Sequence, residues 1–435
     1  MENQRSNPRR AQSGPLQIKG MGHQILEAHD FKCRFVCRQQ PDAWGYAVFE
    51  GLLPPGDTEA PAIARIETRK PELGSRCFQI VSRGRTEIQQ RFCDEACPRD
   101  RLERYPGLVR IRLKPKLVNR RDRDPALLVH LEGARDSLLI DCGSLDAVPK
   151  VELLKLSHLF VTHTHIDHFC GFDRILRHVL GGENRIHVFG PPGITRNVQG
   201  KLDGYTWNLI DVGGPTFVVH ELDGDQKLTT EFTCRRRFAP SFEAVSSTIE
   251  SGCIVDDGRL KVHFAALEHQ IPSLAYSVEE SPFASVRANR LGTDGPRPGP
   301  WLTRLQELAI RGWGPDDTLE VAGCIRRVPD LIDEFIEVKP GVKIAYATDT
   351  VFNERTLATI AQLANRADVF YCESNYQDPD EDKASSYFHL TARQAGQLAR
   401  AAQVEKLILF HLSRKYLGDI GTSILQAKEE FDRVE

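Results

Sequence analysis

The run Thr162-His163-Thr164-His165-Ile166-Asp167-His168 follows directly on the apolar stretch Leu159-Phe160-Val161, and no other part of the chain constrains its fold as tightly. The apolar stretch reads as a buried strand. Gly171 then lets the chain turn into a helix expected over residues 172–180. Imidazole nitrogen and carboxylate oxygen are the donors that divalent zinc or manganese prefers. On a tight loop at a strand end, His163 and His165 can face one ion while Asp167 and His168 face a second. Two such ions clamp the attacking and leaving oxygens of a hydrolytic displacement and lower the pKa of a shared water. A merely solvated histidine-rich loop is the competing reading, and the spacing argues against it.

Later stretches supply further candidates, each at the end of an apolar run. His269 closes His263-Phe264-Ala265-Ala266-Leu267-Glu268 just before Pro272, where the chain must leave a sheet. Asp349 closes Ile344-Ala345-Tyr346-Ala347-Thr348 ahead of a helix expected over 353–365, and could bridge both ions. His411 closes Leu407-Ile408-Leu409-Phe410. Glu373 ends the strand Val369-Phe370-Tyr371-Cys372, and His389 precedes a helix expected over 391–402. His130, His158, His178, His187, His220 and His263 fall on strands or helices away from this pattern and read as core or surface histidines.

HxHxDH after a hydrophobic strand resembles the signature of the metallo-β-lactamase fold. Together with LEHQIPSLAYSVEE, YATDT, HLTARQAGQLARAA and LILFHLSRKY, it makes residues 108–430 similar to ribonuclease Z, the zinc enzyme that trims the 3′ end of precursor tRNA. The resemblance implies an αβ/βα sandwich and two Zn2+, with Mn2+ as an alternative. It implies His163, His165, His269 and Asp349 on one ion, and Asp167, His168, Asp349 and His411 on the other. It further implies that Asp167 helps to deprotonate water, that His389 protonates the leaving oxygen, and that Glu373 orients His389. Phosphodiester cleavage needs such a set: a hydroxide at neutral pH, neutralised phosphate charge and an acid for the departing oxygen. The family's glycine-rich first strand-turn is not found; Leu108-Val109-Arg110-Ile111-Arg112-Leu113 and a basic run to residue 124 stand in its place.

Arginines around the Arg297-Pro298-Gly299-Pro300 element resemble the family's tRNA-gripping arm. Residues 283–318 form the candidate arm, with a short helix over 301–310, and Arg287, Arg290, Arg297 and Arg304 are its candidate phosphate contacts. A proline-rich loop solvated by arginines is the plain alternative.

The net charge of −3 gives no global positive field, so any RNA contact must come from local patches such as 110–124. No apolar stretch of about twenty residues exists, which argues against a membrane span. The first twenty residues lack the apolar core of a secretory signal and read as a flexible tail. Eleven cysteines, several on apolar strands, suit a reduced cytoplasm better than a disulfide framework.

The fold class expected is α/β, with an extra, mainly β, N-terminal domain at 21–106 ahead of the hydrolase domain at 107–435. Strands are expected at 44–53, 62–68 and 77–81. Cys33, Cys37, Cys93 and Cys97, with Cys77 between, could hold a structural zinc or simply be paired buried thiols. In the hydrolase domain strands are expected at 126–130, 137–142, 186–189, 217–222, 228–238 and 260–267, and a last helix over 421–433. The function expected is a two-metal phosphodiesterase acting on precursor tRNA, in the cytoplasm, as a homodimer like its family. Alternatives are another phosphodiester or ester substrate selected by the N-terminal domain, or a non-catalytic binding protein.

Overall fold

The computed structural model describes residues 111–435 except 210–212, 242–243 and 293–294; before residue 111 it describes only the backbone of six strands. The chain divides into two compact units, Met1–Asp100 and Arg101–Glu435. In the first, β1 (Gln24–Glu27) pairs antiparallel with β2 (Arg34–Cys37). β3 (Gln40–Pro41), β4 (Tyr46–Leu52), β5 (Ile63–Arg69) and β6 (Phe78–Ser82) form an antiparallel sheet in that order. The last three answer to the strands expected at 44–53, 62–68 and 77–81. The expected cysteine cluster lies outside the described side chains.

The second unit is built on two sheets whose strands follow chain order. The first holds β7 (Arg112–Leu117), β8 (Leu127–Glu132), β9 (Ser137–Ile140), β10 (Leu156–Phe160), β11 (Arg185–Gly190), β12 (Thr216–Asp223), β13 (Gln226–Thr233) and β14 (Val245–Thr248). The second runs β15 (Cys253–Asp256), β16 (Leu260–Leu267), β17 (Ser273–Glu280), then β22 (Lys343–Ala347), β23 (Val369–Glu373) and β24 (Leu407–Phe410). The central strands β9 to β12 and β22 to β24 are parallel. Parallel pairing requires crossovers, and these include helices α1 (Phe172–Val179) and α2 (Ile194–Asp203) in the first sheet. Helices α3 (Pro300–Arg311) and α4 (Val328–Phe335) belong instead to an excursion between the antiparallel neighbours β17 and β22. The crossovers of the second sheet are α5 (Glu354–Leu363) and α6 (Ala392–Ala401), and α7 (Ile420–Lys428) closes the chain.

Both faces of these strands are apolar because both are covered. Leu159, Val188, Phe217 and Val219 pack under α1 and α2. Phe160, Phe189, Leu138 and Ile140 point the other way and meet Leu274, Tyr276, Ile344 and Tyr346 of the second sheet. Ala345, Phe370 and Leu409 in turn pack under α5 and α6. This is the helix–sheet–sheet–helix sandwich expected from the resemblance, and it is a metallo-β-lactamase fold.

Three expected elements end differently. The strand expected over 228–238 stops at Thr233, and Arg237 and Phe238 take left-handed φ values of 53° and 58°. That turn swings Phe238 back into the core against Trp207 and Phe217. The last helix stops at Lys428 rather than 433, because residues 433–435 run back along β24, where Leu407 N donates to Arg433 O at 2.9 Å. The excursion that contains the candidate arm, residues 283–318, extends further. It begins with β18 (Phe283–Val286), passes through α3, the hairpin β19 (Thr318–Val321) and β20 (Cys324–Arg327) and α4, and returns by β21 (Ile336–Lys339), which pairs with β18. Val328, Leu331 and Phe335, which close its small core around Leu305, lie beyond residue 318. No helix among the described residues is long and apolar enough to cross a membrane.

Candidate metal centre

Two tyrosines from the second sheet reach across the sandwich and fix strand ends of the first. Tyr276 Oη donates to Val161 O at 2.7 Å, and Leu274 N donates to Thr162 O at 2.9 Å, so β17 holds the backbone entering the histidine loop at two successive carbonyls. Tyr346 Oη donates to Asp141 Oδ2 at 3.0 Å. Asp141, at the end of β9, is fully buried, and its carboxylate also accepts Thr162 N at 2.8 Å, Thr162 Oγ1 at 3.0 Å and His168 Nδ1 at 3.0 Å.

The histidine loop is closed by a single helical turn, Ile166–Phe169. Gly171 has an ordinary right-handed conformation, φ −74°, so the helix does not need a glycine's freedom there. The requirement is space: a Cβ at Gly171 would sit 2.2 Å from Gly143 O, and one at Gly143 would sit 2.2 Å from Asp167 O. The two glycines let the β9 strand end and the histidine loop touch backbone to backbone.

Around Asp349 the expected ligands converge. Asp349 Oδ2 lies 3.5 Å from His163 Nε2 and 3.8 Å from His269 Nε2, while Oδ1 lies 3.4 Å from His168 Nε2 and 3.1 Å from His411 Nδ1. His165 Nδ1 is 3.0 Å from His163 Nε2. Asp167 Oδ2 is 3.3 Å from His411 Nε2 and 3.7 Å from His168 Nε2. Donor atoms of His163, His165, His269 and Asp349 lie within 4.8 Å of one another, and so do those of Asp167, His168 and His411.

These residues fit divalent metal. His269 Nδ1 faces Phe388 O at 3.1 Å, and a carbonyl only accepts, so Nδ1 carries the proton and Nε2 keeps its lone pair. The Asp141 carboxylate fixes His168 in the same way. Both Nε2 atoms are buried, aimed into the cluster and without a hydrogen-bond partner. Burial, with His168 nearby, pushes His163 down to about 2, so its ring is a neutral donor. Burial works against charge on His168 and Asp349, yet the Asp349 carboxylate raises His168, and His411 and His168 hold Asp349 well below the carboxylate range. The negative potential that draws protons onto His168 and His411 draws cations too.

His389 and Glu373 stand on the same centre. His389 Nδ1 lies 2.8 Å from Glu373 Oε2 and 3.9 Å from Asp349 Oδ2. Glu373 is fully buried, and its other oxygen accepts Thr350 N at 2.8 Å. Burial opposes the charge on His389, but Glu373 raises its pKa above the usual histidine value.

Arg287, Arg290, Arg297 and Arg304 are exposed on the arm. Arg304 pairs with Glu307 at 2.9 Å, Arg287 donates to the Asp333 carbonyl, and no contact joins the four to the histidine cluster among the described residues. Asp141, Tyr276 and Tyr346 are site-forming residues that the motif reading did not single out. The signal for Asp141 was available, since a lone carboxylate closes the apolar strand Leu138-Leu139-Ile140.

No family model matches the chain. Among curated relatives, the ribonuclease Z of Deinococcus radiodurans is 32% identical over 309 residues, 70% of this chain and 91% of that protein. The ribonuclease Z of Listeria monocytogenes is 29% identical over 306 residues, 68% and 85% of the two chains. That of Methanosarcina mazei is 26% identical over 326 residues, 72% and 90%. Among solved structures, the short form of human tRNase Z is 16% identical with a TM-score of 0.41, covering 71% of this chain and 93% of that one. A metallo-β-lactamase-fold protein of Bacillus subtilis is 15% identical with a TM-score of 0.43, covering 75% and 93%.

Proposed function

This chain belongs to the ribonuclease Z family of metal-dependent hydrolases, and from that premise we propose that it is a binuclear zinc endoribonuclease that cuts precursor tRNA at its 3′ end. The Asp349 carboxylate carries the reading, because one of its oxygens faces His163 and His269 and the other faces His168 and His411. Asp349, His163, His165 and His269 would hold one ion, and Asp349, Asp167, His168 and His411 the second. Bound there, zinc or manganese supplies Lewis acidity to the phosphate and to water.

The chain's own residues do the rest. Asp167, whose side chain is part-exposed, takes the proton of the attacking water. As the bond from phosphorus to the 3′ oxygen breaks, His389 gives that oxygen a proton from Nε2, its Nδ1 being held by Glu373. The products are a tRNA with a free 3′-hydroxyl and a trailer with a 5′-phosphate. Arg287, Arg290, Arg297 and Arg304 on the arm, and Arg112, Lys114 and Lys116, exposed along edge strand β7, offer phosphate contacts of the sequence-independent kind.

The enzyme would act in the cytoplasm, as a homodimer in the manner of its family. Residues 21–106 would form an accessory domain and 107–435 the hydrolase domain. The 30% of the chain outside the Deinococcus match favours a second reading, in which the accessory domain selects another phosphodiester.

Zinc-loaded protein incubated with a 3′-extended precursor tRNA decides between them. Cleavage after the discriminator base, lost in Asp167→Ala, is the expected result. Hydrolysis of bis(para-nitrophenyl) phosphate with no cleavage of the precursor would replace the first reading by the second.

A further inference from the structure

Beside the histidine cluster, the loop after β16 and the first turn of α5 line an open cavity of about 320 Å3. Leu267, Ile271 and Pro272 give it apolar walls, Glu268, Gln270 and Arg355 stand as its polar groups, and His269 forms the wall it shares with the metal centre. The size suits a small ligand, and apolar walls with a few polar groups are the usual make-up of such a site.

Arg355 is the informative residue. It is exposed, and it sits in the first turn of α5, whose N-cap Asn353 accepts Thr356 N. A cation there opposes the helix dipole, which favours negative charge at that end. Glu268, the neighbouring carboxylate, accepts Asn353 Nδ2 at 2.8 Å. With that carboxylate bonded to the N-cap residue, the Arg355 guanidinium is the cation of a cavity that shares His269 with the metal centre.

Resting on the nucleolytic reading, we propose that this cavity is a nucleotide subsite for the residue that adjoins the scissile phosphate. Arg355 holds that nucleotide's own phosphate, a charge-assisted contact that a guanidinium makes in bidentate form. The base lies against Leu267, Ile271 and Pro272, and the Gln270 amide meets its edge. Base stacking and phosphate pairing together position the chain without reading its overall fold.

Adenosine 5′-monophosphate is the probe. Calorimetric titration into the zinc-loaded protein should give a Kd that rises about tenfold in Arg355→Ala, the loss of one charged contact, and recovers only in part in Arg355→Lys, which keeps the charge but not the bidentate geometry. In parallel, the ratio of kcat/KM for precursor tRNA to that for bis(para-nitrophenyl) phosphate should fall about tenfold in Arg355→Ala, through KM. Equal Kd values for parent and Arg355→Ala, or no binding to the parent, would overturn the subsite. A parent that cuts no precursor but binds the nucleotide through Arg355 leaves the subsite standing and removes the tRNA assignment instead.

Discussion

Asp141, Asp349 and His411 share a backbone state that L-residues seldom adopt, with φ of 56°, 51° and 53°. Each stands at the end of a strand, and each left-handed residue costs about 1 kcal/mol or more. The strain aims the side chain inward just where the strand stops. Asp141 never enters the proposed ligand set, yet four donors point at its carboxylate, and one of these contacts fixes the His168 tautomer. Asp141→Ala should destabilise the protein by about 3 kcal/mol, because Thr162, His168 and Tyr346 are left unpaired in the core. It should also weaken zinc binding about 10–100-fold. Denaturant unfolding and competition with a chelator read the two effects. A variant with parental zinc affinity would mean that Asp141 does not orient His168. Asp349 and His411 were legible in the sequence because a polar residue closing an apolar strand is conspicuous. Asp141 has the same local signature, but what makes it matter, Tyr346 and His168, lies 205 and 27 residues away.

Among the elements, β10, β11 and β12 carry a feature that the sequence left as three unrelated histidines. His158 and His187 are register partners with stacked rings 5.3 Å apart, and His187 Nδ1 meets His220 Nε2 at 3.0 Å. Burial, reinforced by the neighbouring imidazoles, pushes His158 down to about 4 and His220 to about 3, and burial with Arg185 lowers His187. Asp257 and Arg259 face His158, while Glu231 and Lys227 stand near His187. These folded-state values lie below the ordinary 6.5, so the unfolded chain binds more protons between the two. The stabilisation is complete above about pH 6.5 and is lost as pH falls through that value towards 4 and 3. The parent should therefore lose more Tm between about pH 7 and about pH 5 than the double variant His158→Phe/His220→Phe. Parallel Tm curves would sink this account. Strand positions were readable from apolar runs, whereas the row of rings depends on parallel register, which no single strand encodes.

For the whole molecule, the proposed ligands are divided between the sheets. His163, His165, Asp167 and His168 follow β10 of the first sheet; His269, Asp349 and His411 follow β16, β22 and β24 of the second. Metal held by both sets would cross-link the sandwich, and a ligand bound only by the folded state adds to stability by mass action. Treatment with a chelator should lower Tm by about 5–10 °C and abolish hydrolysis, and zinc should restore both. Loss of activity with an unchanged Tm would argue that the metals do not tie the sheets together.

The sequence by itself determined the chemistry and most of the elements. Strands and helices announce themselves by local periodicity, and each proposed ligand is a property of one side chain at one strand end. The tertiary structure decided the rest. Helix and strand ends moved where a distant surface claimed a residue, as Phe238 was claimed by Phe217 and the segment 433–435 by β24. The arm reached Lys339 because its apolar core needed Val328, Leu331 and Phe335. The tyrosine clamps, the glycine contact between Gly143 and the Asp167 backbone, and the cavity at Arg355 all join residues far apart in the chain. Their energies exist only between surfaces that folding brings together, so no local pattern could display them.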